Sequence, residues 1–174
     1  MRPRGRPIVA TMLGASLVGA SLVAHSSMAR GECDPAMPAE PTASRFELHD
    51  DMVYDKSTDL TWMRCSYGQQ WMEGSGCSGS VKLLDWDSAM ALQSQGHSAW
   101  RLPERDELQG IVAHNCKRPA INETVFPGTL SAQYWTSTLS GPSYAWIVFF
   151  RTGMPTWNFL RTTPLAVRLV RTGR

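Results

Sequence analysis

The sequence predicts one α+β domain whose terminal strands meet in a single sheet, with two short helices between them and two disulfides as staples. Three observations carry this prediction. β-prone runs stand at both ends of the chain, and helical periodicity occurs only between them. Gly 14, Pro 11 and Trp 7, with only 18% charged residues, favour turns and aromatic packing over long helices. Four cysteines, an even number, fit paired thiols in an oxidising compartment. At 174 residues and 43% hydrophobic the chain can bury a core, which excludes a disordered, collagen-like or coiled-coil chain.

The elements follow in order. Arg2, Arg4 and Arg6 precede an uncharged apolar stretch from Ile8 to Ala24, and Ser27-Met28-Ala29 offers small residues for cleavage. Residues 1–29 therefore read as a secretory signal peptide, too short and too weakly apolar for a membrane anchor. Residues 30–45, rich in Pro, Ala and Glu, read as an irregular arm, and residues 46–174 as the domain. Phe46, Leu48, Met52-Val53-Tyr54 and Leu60-Thr61-Trp62-Met63 predict a hairpin about the polar turn 55–59. Asp50, Asp51, Asp55 and Asp59 read as turn formers, because the calcium loop with its closing Glu is absent.

Asp85 caps a helix carrying Trp86, Ala89 and Met90, with Gly96 as its left-handed stop. A second helix follows Trp100-Arg101-Leu102-Pro103, with Glu107 in its first turn and Leu108, Ile111 and Val112 on one stripe. Beyond Ile121 strands and turns remain: 134–138, 144–150, a turn at Arg151-Thr152-Gly153, 156–160 and a closing strand 166–171. In the central strand Tyr144, Trp146, Val148 and Phe150 alternate with Ala145, Ile147 and Phe149, so both faces are covered.

Of the three possible cysteine pairings, Cys65 with Cys77 closes the Gly-rich polar stretch 66–76, and Cys33 with Cys116 ties the arm to the body. No spacing matches a zinc site. Leader removal takes away three Arg and leaves 14 basic against 15 acidic residues, so the formal +2 becomes −1 and a general nucleic-acid role loses support. The charge is also uneven. No Asp or Glu follows Glu123, whereas Arg151, Arg161, Arg168, Arg171 and Arg174 all do.

Asp59-Leu60-Thr61-Trp62, Trp100-Arg101-Leu102-Pro103 with Glu107-Leu108, Pro119-Ala120-Ile121-Asn122, Tyr134-Trp135-Thr136-Ser137 and Val167-Arg168-Leu169-Val170-Arg171 together resemble a bacterial domain family. It is named after the C-terminal domain of the Legionella collagen-like adhesin, and the resemblance runs from about Phe46 to Arg171. The pattern of Cys65, Cys77 and Cys116 also resembles many members. That family is similar to C-type-lectin-like domains, which implies a twisted antiparallel sheet with two flanking helices and an adhesive surface recognising sulfated polysaccharide. The Arg-Leu-Pro segment also looks like sulfatase-modifying relatives of the fold. Their late cysteine pair has no counterpart after Cys116, so their oxidase chemistry does not carry over. Glu104, where the family often has Asn or Thr, is a poorer cap.

No catalytic constellation is legible. His25, His49, His97 and His114 lack metal or triad spacing, and no Gly-x-Ser-x-Gly occurs. Arg101 and Glu107 read as a structural ion pair. Trp62, Trp86, Trp100 and Trp135 read as core, whereas Trp71 and Trp157 are candidates for stacking on a sugar ring. The sharper candidate is a ligand surface of Arg151, Arg161 and Arg168 with Trp157 and Tyr144, since guanidinium forks match sulfate and carboxylate. The plainer alternative has Arg168 and Arg171 satisfying backbone carbonyls or pairing with Asp50 and Asp55.

The sequence thus predicts a bacterial extracytoplasmic binding domain, in the periplasm, secreted or at the cell surface. Its partner would be a glycan or a cell-surface or envelope protein. No cofactor, metal, nucleic acid or membrane span after cleavage is predicted. The rival readings are an enzyme or maturation factor of the sulfatase-modifying kind, and a structural subunit of a pilus or envelope complex.

Overall fold

A computed structural model describes residues 31–38, 42–94 and 99–174. The leader 1–29, the proposed stop at Gly96 and His97 lie outside the described residues.

The arm is less irregular than predicted. β1 (Glu32–Cys33) pairs antiparallel with β7 (Cys116–Lys117), and α1 (Thr42–Arg45) is a single turn leading into the sheet. The predicted hairpin gains a strand. β2 (Phe46–His49), β3 (Met52–Asp55) and β4 (Leu60–Met63) form a meander, because Asp50 (φ 31°) and Asp59 (φ 55°) each supply a left-handed turn residue. β11 (Val170–Thr172) joins β4, giving the order β11-β4-β3-β2. Both ends of the domain thus share one sheet, at its opposite edges.

The predicted closing strand is shortened to β11 because residues 165–169 work as a bridge between sheets. Trp135 donates to Ala166 O, Tyr67 to Val167 O and Met63 to Leu169 O. The second sheet, in the order β10-β9-β8, comprises β8 (Gln133–Gly141), β9 (Tyr144–Phe149) and β10 (Met154–Leu160). β5 (Gln70–Met72) and β6 (Gly76–Ser78) form a small hairpin inside the loop closed by the Cys65–Cys77 disulfide. The second disulfide joins Cys33 to Cys116 across β1 and β7.

α2 (Trp86–Ala91) starts where the Asp85 carboxylate accepts from Ser88 N–H at 2.8 Å and ends in a 3₁₀ turn, Leu92–Ser94. α3 (Arg105–Gly110) is held at its start by Glu107, whose carboxylate accepts from Glu104 N–H at 2.7 Å.

The alternation along β9 divides the interior. Val148 and Phe150 join Tyr134, Trp62, Leu108, Ile121 and Phe126 in one cluster; Ala145 and Ile147 join Trp135, Trp86, Leu102 and Leu169 in the other. Around β9 the sheet is therefore covered on both faces, whereas Tyr144 at its start and Met154, Trp157 and Leu160 along β10 stay exposed.

Candidate functional site

The structure disperses the five residues predicted to bind a ligand. Arg168 is fully buried, at 0% exposure. Its guanidinium donates to Met63 O, Arg64 O and Thr129 Oγ1 and lies 4.9 Å from the Phe126 ring centroid, so it cannot reach a ligand. Burial pushes it down to about 10, which leaves it charged at neutral pH. Arg161 is also engaged. It pairs with Asp87 of α2, donates to Pro142 O and lies over the Trp86 ring. The late segment lacks carboxylates in sequence, but folding brings one to it.

Tyr144 opens β9 and pairs with Leu160, next to Arg161, whose N–H donates to Ser143 O. Arg151 stands beyond the other end of β9, roughly 20 Å away at the rise of an extended strand. Trp157 lies between them in a β10 irregularity, where Asn158 has φ 65°, and is 60% exposed. The predicted surface is therefore not one site. Trp71, the other stacking candidate, is half-buried beneath the Arg64 guanidinium, 4.0 Å from its ring centroid. Arg171 lies over Trp100 at 5.3 Å, and Asp55 pairs with Arg45 at 2.7 Å.

Arg151 instead joins a basic cluster that sequence reasoning missed. It sits in the β9–β10 turn, where Thr152 and Gly153 N–H groups donate to Phe149 O. Gly153 (φ 77°) is pressed against the end of α3 and the chain just after it: an added Cβ would lie 2.6 Å from Val112 Cγ1, and its carbonyl accepts from Gln109 Nε2 at 2.8 Å. The segment after β7 is bonded to this turn, Arg118 N–H donating to Arg151 O and Ala120 N–H to Phe150 O. Arg118 has φ 57°, a conformation that costs a non-glycine residue about 1 kcal/mol or more and persists where its surroundings impose it.

Lys117, Arg118 and Arg151 consequently border one open groove of about 430 Å³, which Glu32 and Asp34 of the arm also line. Glu32 Oε2 is 3.7 Å from Lys117 Nζ and 3.8 Å from Arg118 Nη1. Asp34 is occupied in accepting from Ala36 N–H. The Arg151 guanidinium has no hydrogen bond or ion pair among the described residues. Chemically the groove offers two guanidinium forks and an ammonium to an anion. The available sequence signal was a Lys-Arg pair placed directly after a bridge-forming cysteine.

A larger cavity of about 530 Å³ is lined by Phe46, Ile111, Ile121 and Phe126, with His114 and Glu123 at its wall. Its two cysteines form the Cys33–Cys116 bridge, and no cysteine among the described residues is free. No group of three or more potential metal ligands occurs among the described residues.

Arg101 and Glu107 form a bidentate pair, both contacts at 2.7 Å. Burial would raise the Glu107 carboxyl, but the Arg101 fork and the Glu104 amide outweigh it and hold the group below the usual range. The pair joins the start of α3 to the strand-like residue 101, which exchanges backbone hydrogen bonds with Val170.

Residues 51–171 match the family model of the Lcl C-terminal domain. None of the curated proteins matches the chain.

Proposed function

We propose that this chain, which belongs to the Lcl C-terminal domain family, is a non-catalytic, lectin-like binding domain that works outside the cytoplasm and engages anionic glycans through Lys117, Arg118 and Arg151. The two disulfides support an oxidising compartment. The signal-peptide reading of residues 1–29 supports export. No helix among the described residues is long and apolar enough to cross a membrane.

The observation that carries the ligand class is the groove in which three cations face two carboxylates, of which, among the described residues, only Glu32 pairs with them, and loosely. Glu32 is more than half exposed and sits beyond normal hydrogen-bond distance from both partners. Such solvated pairs contribute about 0–1 kcal/mol, so a sulfate or carboxylate able to take both guanidinium forks displaces Glu32 at little cost. Binding of this kind weakens with salt, since charges in open water are screened over about 8 Å at physiological ionic strength.

The test is chromatography of the processed protein on immobilised heparin. Arg118→Ala with Arg151→Ala should elute at clearly lower salt, Glu32→Gln at higher salt, and chemically desulfated heparin, which keeps only its carboxylates, should retain the unaltered protein more weakly. Full retention of the double variant at an unchanged melting temperature would refute the assignment.

A second reading, a structural subunit, is favoured by one observation. Met154, Trp157 and Leu160 are exposed along β10, the edge strand of its sheet. Sedimentation of the processed protein distinguishes it: concentration-dependent assembly lost in Trp157→Ser supports a subunit, and a monomer at all concentrations removes that reading.

A further inference from the structure

The anion groove and the Cys33–Cys116 bridge are built on the same two strands. Cys33 stands opposite Cys116 and Glu32 opposite Lys117, so the bridge lies one register position from the carboxylate that meets the cations. That carboxylate reaches Lys117 at 3.7 Å and Arg118 at 3.8 Å. Asp34, on the other side of Cys33, also lines the groove. The basic wall is held by other means. Arg118 N–H donates to Arg151 O, Ala120 N–H to Phe150 O and Cys116 N–H to Ala113 O, and Gln109 fixes the Gly153 carbonyl. These bonds lie wholly within the body of the domain, whereas both carboxylates come from the arm. Besides the bridge, the arm is seated there by a two-residue pairing, by Gly31 N–H on the Glu123 carboxylate and by Asp34 N–H on Asn115 O. A pairing that short belongs to the part of a structure that opens most easily. The bridge is also the more accessible of the two, since Cys33 is exposed, whereas Cys65 is buried and Cys77 half-buried.

We infer that the Cys33–Cys116 bridge is a thiol–disulfide exchange site that regulates anion binding. Closed, it holds Glu32 and Asp34 in the groove as built-in competitors; opened, it lets the arm withdraw and leaves Lys117, Arg118 and Arg151 to the ligand. This rests on the anionic-glycan reading above. The reductant is a dithiol. One of its thiolates attacks the exposed Cys33 sulfur, the sulfur–sulfur bond breaks, and Cys116 departs as a thiolate that takes up a proton. The second thiol of the reductant, deprotonated in turn, displaces Cys33 from the mixed disulfide, and Cys33 is protonated. Two electrons and two protons thus pass from the dithiol to the bridge, and the reductant is left as a disulfide. The effect on binding follows from the weakness of the contact it releases. A tethered carboxylate that occupies the site with the free energy of a solvated ion pair lowers the apparent affinity for a free anion about two- to sixfold.

The test is titration calorimetry of the processed protein with a heparin hexasaccharide at one fixed low salt. Cys33→Ser with Cys116→Ser should bind about two- to sixfold more tightly than the unaltered protein. Glu32→Gln should raise affinity in the bridged protein and add nothing in the variant without the bridge, where the arm has already left. Should the serine variant fail to fold, brief exposure of the folded protein to a dithiol followed by alkylation supplies the same species, with mass spectrometry showing that Cys33 and Cys116 alone are modified. Failure of every form to bind overturns the glycan reading and this inference together. An unaltered protein that binds, with equal or weaker binding once the bridge is open, overturns this inference alone, as does an undiminished gain from Glu32→Gln in the opened protein.

Discussion

Arg168 has no carboxylate partner among the described residues, yet its cost of burial is offset by three good acceptors and an aromatic face. Removing the side chain would take a donor from Met63 O and Arg64 O, at about 1–3 kcal/mol for each orphaned group, while the Thr129 hydroxyl would keep its bond to Phe126 O. Arg168→Ala should therefore lower unfolding stability by at least about 2 kcal/mol in urea titrations. Arg168→Lys should rescue little of it, because one ammonium cannot span the acceptors of a planar fork. A loss below about 1 kcal/mol in the Ala variant would show that these bonds contribute little.

The same residue shows what local sequence does not reveal. An Arg beside Val167, Leu169 and Val170 reads equally as the polar position of an edge strand or as a buried tie, and the distinction depends on Thr129 and residues 63–64, far away in the chain. Arg161 misleads for a related reason, since Asp87 is 74 positions distant. Pairings with local signatures were legible: Arg101 with Glu107 about a helix start, and Asp85 on Ser88.

At the level of the elements, the carboxylates at turns and helix starts set the acid response. Burial would raise the Asp55 carboxyl, but Arg45 and Ser57 hold it below its ordinary value of 3.8; Glu107 lies below its ordinary value of 4.5. A depressed carboxyl contributes stability that is complete above the unfolded value and is lost as pH falls through the folded one. Stability should therefore be flat from neutral pH to about pH 5 and erode below about pH 4. Glu107→Gln should remove part of that acid dependence and lower stability at pH 7 by roughly 1.5–3 kcal/mol, the range for a hydrogen-bonded charged group. Thermal melts between pH 2.5 and pH 7 check both, and an unaltered pH profile in Glu107→Gln would contradict the linkage. The helix starts and the β3–β4 hairpin were legible because caps and alternation are local, but α3 ends at Gly110, so Ile111 and Val112, expected on its stripe, lie beyond it, and Glu104, expected to cap poorly, shares a capping box with Glu107. β1 and the β5–β6 hairpin were not, because each is too short to show periodicity and depends on a disulfide to bring its strand into register.

For the molecule as a whole, the two bridges serve different regions. Cys65–Cys77 closes a short span, 12 positions, for roughly 3 kcal/mol, whereas Cys33–Cys116 spans 83 positions and should contribute somewhat more. Cys33→Ser with Cys116→Ser should release the arm, seen as rapid proteolysis near Gly31 and faster amide exchange at Lys117. Persistent protection there would mean that the β1–β7 pairing holds unaided. The groove was the least legible feature. Its cations come from β7, the residue after it and the β9–β10 turn, while its carboxylates come from β1, a strand that the sequence does not announce, and the residue after it.

Gly153 has a consequence for how Arg151 meets whatever it meets. With that residue wedged against Val112 and its carbonyl tethered by Gln109, the turn cannot swing toward an incoming molecule. Recognition at this corner is thus that of a stiff bracket rather than a closing hand. Selectivity would come from the spacing of charges on the visitor, and lengthening the turn by even one residue would change which spacing fits.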